Sequence, residues 1–339
     1  MSENVMDQIV AELRKTATRL YPRRGELRNV RVVGHTPKPD HFIYDVVVDF
    51  MDGSERVAAK VYRAGKGGPQ RARDQAHKEF QNLDLVFGEF AHKKLPGVPR
   101  PLGNFSALGA VVTEKIQGVP LQSMMMKAAL LPGYDDNTCL RDAAAKAGEW
   151  LRSFHKLTND APQPFDAQAL LGELETLCLS CRGEGLDDAA IRMILTGAKN
   201  SLLKARKSIP SSAVLNDFTP LNIVVNEENV GVCEYGRMSM HGVSFNDAAT
   251  FLAAVEALEK YPFCNRTITS KVQESFLEAY EVSPAEHAII RVLKMRTLLS
   301  MFAQGRGTKE SAVRKKVMWA TVMKRFIQQA ASRSMAPAA

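Results

Sequence analysis

The chain has 339 residues, of which 45% are hydrophobic and 24% charged, and its formal net charge is +8. This composition predicts a globular protein with a sizeable core, and the length predicts about two domains or lobes. The positive charge favours an anionic partner, such as a nucleotide, an acidic glycan or a phospholipid surface. No stretch approaches 18 consecutive apolar residues, so the sequence does not predict a transmembrane helix.

The N-terminal segment and the cysteines indicate a reducing compartment. The segment MSENVMDQIVAELRK has early acidic residues and lacks the apolar core of a signal peptide. The five cysteines form no disulfide framework, and Cys178 and Cys181 make a CxxC pair without a second pair. This pair predicts ordinary thiols on a helix, and zinc binding is the alternative. We therefore expect a cytoplasmic protein, with a peripheral position at the inner membrane surface as the alternative.

The first third of the chain predicts a small β-rich lobe. Apolar spacing predicts a helix over 4–20. Three β-rich runs follow, NVRVVG, FIYDVVVDF and SERVAAKVYR, and Met-Asp-Gly reads as a hairpin turn between the last two. The Gly/Lys-rich stretch GKGGPQRARD predicts a loop, which leads into a helix over 74–87. Two short strands, around RPLGNFS and LGAVVTEKI, complete an antiparallel lobe that ends near Gly118-Val119-Pro120.

The remainder of the chain predicts a larger, mainly helical lobe. Periodic apolar residues predict helices over 138–157, 167–181, 187–207, 246–260, 268–280, 284–303 and 308–332. The one predicted interruption, 213–236, contains two short strands around the stretch VLNDFTPLNIVV. The predicted fold class is therefore α+β, with a β-rich lobe over 1–118 and a helical lobe over 119–339.

The stretch VLNDFTPLNIVV places Asp217 and Asn222 five positions apart in a loop between apolar strands. Neither residue type favours a strand, and Pro220 removes a backbone donor. A loop aspartate can accept the proton of an attacking hydroxyl, and an asparagine oxygen can bind Mg²⁺. Glu234, twelve residues after Asn222, follows a second apolar strand and would add a carboxylate to the metal. A plain Asx turn is the alternative interpretation.

Lys60, in the strand VAAKVYR, is a second candidate for phosphate chemistry. Strand alternation places it on the same face as Ala58 and Tyr62. A buried ammonium needs a carboxylate or a phosphate as its partner, and Glu79 on the following helix could supply the carboxylate. A Lys–Glu pair that reaches nucleotide phosphates is a recurring part of phosphoryl-transfer sites. An edge-strand lysine that faces water is the alternative.

Together these motifs resemble the aminoglycoside phosphotransferase/choline kinase group of small-molecule kinases. The matching segments, in chain order, are VAAK, HKEF, VTEKIQGVPL, DFTPLN, VCEYG and SFNDAATFL. The resemblance covers about 30–255 and is strongest over 214–252. It implies a protein-kinase-like fold with two lobes. It also implies a phosphotransferase that uses ATP or GTP with Mg²⁺ to phosphorylate a hydroxyl of a small molecule, sugar or glycan.

In the first lobe, the resemblance implies a nucleotide site. Lys60 would contact the α- and β-phosphates, and Glu79 would hold Lys60. Glu114 and Ile116, in the segment TEKIQG, match the hinge between the lobes, which would offer backbone groups to the edge of the base.

In the second part of the chain, the resemblance implies the remaining roles. Asp217 would be the catalytic base, and Asn222 and Glu234 would bind the metal. Asp247 would brace the catalytic loop, and His155, which ends the helix AGEWLRSFHKL, would have a structural packing role.

Three departures from the family pattern favour an alternative function, a catalytically degenerate pseudokinase that binds nucleotide or acts as a scaffold. Leu215-Asn216 replaces the expected His-Gly before the catalytic Asp, and Glu234 replaces a metal-binding Asp. The nucleotide-covering turn GHTPKPDHF has one glycine and two prolines, so it cannot offer several backbone amides to a phosphate as a Gly-rich loop does.

The C-terminal helix, the net charge and the distribution of basic residues indicate what the protein could bind. In the predicted helix over 308–332, Trp319, Met323 and Phe326 share one face, which predicts docking on the helical lobe. A basic amphipathic helix for a membrane or a partner, carrying Arg314, is the alternative. The net charge favours a neutral or anionic acceptor. Nucleic acid is not expected, because the chain has no basic stripe with interleaved aromatic residues.

Overall fold

The computed structural model describes residues 5–90, 95–131, 137–203, 208–306 and 313–336. The chain divides into two compact units, Met1–Gly118 with Gly231–Met238, and Val119–Val230 with Ser239–Ala339. The first contains an antiparallel sheet and the second is mostly helical, which confirms the predicted kinase-like α+β fold. The short segment Gly231–Met238 joins the first unit by its contacts, a feature that the predicted division of the chain did not include.

The first unit is a five-stranded antiparallel sheet with a helix on each face. Its elements are α1 (Val5–Leu20), β1 (Leu27–Pro37), β2 (His41–Phe50), β3 (Gly53–Tyr62), α2 (Gly68–Phe90), β4 (Pro101–Phe105) and β5 (Ala110–Glu114). The strand order is β1-β2-β3-β5-β4. On one face, Val46, Val57 and Val112 pack with Ile9 and Leu13 of α1 in a buried apolar core. The other face carries Lys60 and Tyr62, as alternation along β3 requires.

Helix α2 begins earlier than the sequence predicted. The predicted loop over 65–74 is wrong from Gly68 onward, because only Gly65–Gly67 form a separate short turn before the helix. Pro69 falls in the first turn of α2, where the missing N–H of a proline removes no helical hydrogen bond. Ala72 and Ala76 of α2 then pack against Tyr62 and Val111 of the sheet.

The second unit is built mainly from helices. The elements from Val119 onward are β6 (Val119–Pro120), α3 (Leu121–Leu130), α4 (Asn137–Leu157), β7 (Asp160–Pro164), α5 (Ala167–Ser180), α6 (Asp188–Leu202), β8 (Ser208–Val214), β9 (Ile223–Val225), β10 (Val230–Val232), β11 (Ser239–Val243), α7 (Phe245–Glu256), α8 (Arg266–Tyr280), α9 (Pro284–Arg306), α10 (Val313–Met318) and α11 (Lys324–Met335). Strand β8 pairs with β7 and β11, and β6 pairs with β9. The predicted helical segments 204–207 and 308–312 lie outside the described residues.

The prediction that 213–236 alone interrupts the helices is wrong. Strands β6, β7 and β11 were missed, and β8 begins at Ser208. The sequences DAPQP of β7 and SMHGV of β11 lack an alternating apolar pattern, because most of their residues are exposed. Only pairing with the buried strand β8 makes them strands.

The C-terminal helix packs on the helical unit, as the shared face of Trp319, Met323 and Phe326 predicted. The Trp319 ring stacks on Phe302 of α9 with 4.6 Å between centroids, and Met323 and Phe326 are buried. A π-helical turn, Trp319–Met323, separates α10 from α11. The side chain of Arg314 lies outside the described residues. Among the described helices, none has the length and hydropathy to cross a membrane.

Candidate functional site

The first unit buries a cluster of charged side chains around Lys60. The Lys60 Nζ atom lies 2.5 Å from Oε1 of Glu79 and 2.9 Å from Oε2 of Glu234. The Tyr62 hydroxyl donates a hydrogen bond to the other Glu79 oxygen. The Lys60 side chain is 11% exposed and that of Glu79 is 3% exposed. The structure thus brings together three of the predicted site residues, and Lys60 does not face water as an edge-strand lysine would.

The charges in this cluster shift the ionisation of its members. Burial alone would lower the pKa of Lys60, but the carboxylates of Glu79 and Glu234 outweigh burial and raise it. Burial raises the pKa of Glu79, and the Glu234 carboxylate adds to this effect, against the opposing effect of Lys60. The pKa of Tyr62 is raised by burial and then by the same two carboxylates. Two carboxylates share one ammonium, so the cluster can accept a further cation.

Helix α2 and the segment Gly231–Met238 are joined by contacts that the sequence did not predict. Asn82 of α2 donates hydrogen bonds from Nδ2 to the backbone oxygens of Tyr235, at 2.8 Å, and Met238, at 3.3 Å. A Cβ atom on Gly236 would lie 3.0 Å from the Tyr62 hydroxyl, so this position leaves little room for a side chain. The sequence signal for this arrangement was the Tyr-Gly pair after Glu234. The need for a glycine there follows from the nearby hydroxyl of Tyr62, which is distant in the sequence.

The predicted hinge residues lie at the end of strand β5 and just after it. Glu114 ends β5, its side chain pairs with Arg100 at 2.6 Å, and its backbone N–H donates to the Arg100 oxygen. The Lys115 N–H donates to the Arg56 oxygen. Within the described part of the chain, neither backbone group of Ile116 has a hydrogen-bond partner. Ile116 could therefore present a donor and an acceptor to a base edge, and this role stays a prediction, as does that of Glu114.

In the second unit, Asp217 and Asn222 lie in the loop between β8 and β9. The Thr219 N–H donates to the Asp217 backbone oxygen and the Asn222 N–H donates to the Thr219 oxygen, both at 2.9 Å. The Asn222 side chain donates from Nδ2 to the Asp217 backbone oxygen at 3.0 Å. This hydrogen bond directs the amide nitrogen into the loop, and among the described residues the Oδ1 atom of Asn222 has no donor.

Asp247 braces this loop through its backbone. The buried carboxylate accepts the Leu215 N–H at 2.7 Å and the Asn216 N–H at 2.8 Å, one on each oxygen. Asn216 has a φ of 58°, in the left-handed region that favours glycine and that asparagine tolerates better than most other residues. Asn216 therefore suits the left-handed backbone conformation at a position where the resembled pattern has glycine.

His155, which the sequence indicated as a packing residue, also makes hydrogen bonds. Its Nε2 atom lies 3.2 Å from Oδ2 of Asp247, and its Nδ1 atom lies 2.8 Å from the Tyr280 hydroxyl. A neutral imidazole satisfies both contacts when Nε2 donates to Asp247 and Nδ1 accepts from Tyr280. The side-chain partner of Asp247 thus comes from α4, and the buried side chain of Leu215 offers it no polar group.

Phe218 anchors the loop in the core of the second unit. Its side chain is fully buried, with centroid distances of 6.0 Å to Trp150, 5.9 Å to Phe251 and 6.4 Å to Phe276. Its neighbour Asp217 is half-buried. Sequence reasoning missed this anchor, although an aromatic residue directly after a candidate catalytic Asp was visible.

The candidate metal ligands have suitable chemistry for Mg²⁺. Both Asn222 and Glu234 offer hard oxygen atoms, and Mg²⁺ commonly takes one or two protein oxygens and completes its shell with water and substrate phosphates. In the described ranges, no group of three or more His, Cys, Asp or Glu side chains is arranged to hold a metal. This finding gives no support to a zinc site at the buried thiols of Cys178 and Cys181.

Comparison with known proteins establishes the fold. No family model matches the chain, and no curated protein matches it. Choline kinase LicA from Streptococcus pneumoniae is 15% identical with a TM-score of 0.51, over 97% of this chain and 100% of that one. A choline/ethanolamine kinase family protein from Mesorhizobium loti is 14% identical, with a TM-score of 0.52 and the same coverage. ADP-bound aminoglycoside phosphotransferase APH(2'')-Ib is 12% identical, with a TM-score of 0.50, over 97% and 99%.

Proposed function

We propose that this chain, which has the fold of choline kinases and aminoglycoside phosphotransferases, transfers the γ-phosphoryl group of ATP or GTP to a hydroxyl group. The acceptor in this proposal is a neutral or anionic small molecule, sugar or glycan, and the reaction takes place in the cytoplasm. The observation that carries the proposal is the buried Lys60 ammonium between Glu79 and Glu234. The stability of the fold does not by itself require such a cluster, because apolar residues of similar volume often stabilise a protein at least as well as buried ion pairs do.

In this proposal the first unit binds the nucleotide. Lys60 donates to the α- and β-phosphates while Glu79 fixes the direction of its ammonium group. Glu114 and Ile116 offer backbone groups to the base, and the backbone groups of Ile116, which have no partner among the residues that the structure describes, support this assignment. Mg²⁺, held by Glu234 and Asn222, would neutralise the phosphate charge that grows during transfer.

The second unit supplies the base of the reaction. Asp217 accepts the proton of the acceptor hydroxyl while the hydroxyl oxygen bonds to the γ-phosphorus and the bond to the nucleoside diphosphate breaks. The hydrogen bonds from Asn222 and from the Asp247 brace support this role, because they fix the loop on both sides of Asp217. Most of the rate enhancement then comes from positioning and charge stabilisation.

The test is a nucleotide-dependent transfer assay with an Asp217→Asn variant. Release of ADP or GDP is measured with Mg²⁺ over a panel of sugars, lipid head groups and aminoglycosides. We expect the variant to lose about 10²–10⁴-fold in turnover, the usual contribution of a general base, with nucleotide affinity unchanged. Asp166→Asn, at the exposed N-cap of α5, is the matched control and should leave turnover unchanged. Equal turnover in the Asp217 variant would exclude the assigned role.

One observation favours a second candidate, a nucleotide-binding protein without catalysis. One of the two Glu234 carboxylate oxygens, Oε2, already accepts a hydrogen bond from Lys60 at 2.9 Å, and Glu is longer than the family's Asp. A thermal shift with ATP and GTP, each with and without Mg²⁺, separates the candidates. Stabilisation that requires Mg²⁺ supports the metal site, whereas stabilisation without Mg²⁺ and without any transfer supports the second candidate. No response to either nucleotide would contradict both.

A further inference from the structure

The turn between β1 and β2 has its backbone amides already committed. In a Gly-rich loop, successive N–H groups cover the phosphates. Here Pro37 and Pro39 carry no N–H, and the Lys38 N–H donates to the His41 oxygen at 2.8 Å. The Asp40 N–H faces the carboxylate of its own side chain and, with His41, helps to lower the pKa of that carboxyl against the effect of burial. A phosphate at this turn must therefore be contacted by a side chain.

We propose that His41 is that side chain and that it binds the phosphates of the nucleotide, an inference that rests on the proposed function and deepens it. His41 is the first residue of β2, and only 7% of its surface is exposed. It lies opposite Tyr62 of β3, with 5.7 Å between the ring centroids. Tyr62 donates to Glu79, the partner of Lys60, so the imidazole lies at one end of the Lys60 cluster.

The ring of His41 is held in one orientation. Its Nδ1 atom lies 2.7 Å from Oδ1 of Asp40, whereas Nε2 has no hydrogen-bond partner among the described residues. In the imidazolium form both nitrogens donate, Nδ1 to Asp40 and Nε2 to a phosphate oxygen. Burial and then the Lys60 ammonium lower the pKa of His41, and the carboxylates of Glu234 and Asp40, which favour the imidazolium form, only partly offset this effect. The negative charge of a bound phosphate group would also favour the imidazolium form of His41, so phosphate binding would promote protonation of the ring.

Two substitutions test the roles of the two ring nitrogens of His41 separately. His41→Asn keeps a donor near the position of Nδ1 and removes the atom that would reach the phosphate, whereas His41→Gln keeps a donor near the position of Nε2. Affinities for ATP, GTP, adenosine and guanosine are measured by calorimetry with Mg²⁺ on the full chain. We expect His41→Asn to weaken triphosphate binding by about tenfold, as loss of a charge-assisted hydrogen bond does, and to leave nucleoside affinity unchanged.

The conservative variant and a control on the same hairpin complete the test. His41→Gln should stay within about threefold of the wild type, because a neutral donor keeps part of the interaction. His35→Asn is the control, because His35 is exposed on the same hairpin, where its ring stacks on Tyr44. Unchanged triphosphate affinity in His41→Asn, or an equal loss for nucleosides, would overturn the inference. A folded wild type that binds no nucleotide would instead overturn the proposed function, and the inference with it.

Discussion

The two groups of candidate site residues are held in place by different kinds of interaction. In the first unit, side chains hold one another. Ion pairs and hydrogen bonds connect Tyr62 to Glu79, Glu79 to Lys60, and Lys60 to Glu234. In the second unit, the loop that carries Asp217 is held through its backbone, which Asp247 binds at two N–H groups. A change in the first group disturbs its neighbours directly, whereas the two hydrogen bonds of Asp247 involve backbone groups that a substitution of the Asp217 side chain does not remove.

The difference follows from the chemistry that each group would perform. A cation that contacts phosphates must be aimed and kept dry, and a buried ammonium is stable only beside carboxylates. A base must approach a substrate that comes and goes, so it stays half-exposed on a loop whose shape is fixed from behind. The buried anchors Phe218 and Asp247 fix that shape. Function and stability should therefore be coupled at Lys60 and separable at Asp217.

The largest effect on stability is expected for Lys60→Met. The substitution leaves Glu79 and Glu234 beside each other without their cation, and removing one partner of a buried pair costs about 3–5 kcal/mol. Urea unfolding of the full chain, followed by circular dichroism, measures the loss. Nucleotide affinity should fall as well.

Lys115→Met is the matched control for this experiment. Lys115 also forms a short ion pair, 2.7 Å from Asp45 in the same unit, but its side chain is 35% exposed. Exposed pairs contribute about 0–1 kcal/mol, so this variant should unfold close to the wild type. Similar losses in both variants would show that burial does not distinguish the two lysines and would contradict the coupling.

An intermediate effect is expected for Asp247→Asn. One of the two oxygens becomes an NH₂ group that faces a backbone N–H, so one hydrogen bond to a charged acceptor is lost in a fully buried place. Such bonds contribute about 1.5–3 kcal/mol. Unfolding free energy should fall by that amount, and turnover should fall with unchanged nucleotide affinity. The exposed control Asp166→Asn should change stability by less than about 0.5 kcal/mol, because both residues are good N-caps. Loss of nucleotide affinity would contradict the separation of the two groups.

Much of the fold was predictable because it follows local rules. The alternating strands β2 and β3 and the periodic helices α1, α4 and α8 each bury one face, and this pattern is visible in the sequence. Strands β7 and β11 were missed because their residues are mostly exposed and only pairing with β8 defines them. The start of α2 was missed because glycines before Pro69 resembled a loop.

The candidate site likewise contains contacts that local sequence patterns predicted and contacts that they did not. The Lys60–Glu79 pair was predicted from strand alternation at Lys60 and from a carboxylate on the following helix, although Asp74 and Asp84 lie on the same predicted helix and the local pattern does not choose among the three. The contact of Glu234 with Lys60 joins residues 174 positions apart, and no local pattern encodes it. The links from Asp247 to Leu215 and to His155 also depend on tertiary packing. The roles of all these residues in catalysis stay predictions.

The smallest effect is expected at Asn216, and it tests how the loop tolerates the missing glycine. Asn216→Gly and Asn216→Ala both remove the side chain, so they differ only in their preference for the left-handed backbone at φ 58°. Glycine adopts this conformation freely, whereas an L-residue with a Cβ atom pays about 1–2 kcal/mol. We expect the glycine variant to be more stable than the alanine variant by about 1 kcal/mol in urea unfolding. It should also keep the higher turnover. Equal stability of the two would mean that the loop relaxes away from this conformation, and the Asp247 brace would then not fix the backbone before Asp217.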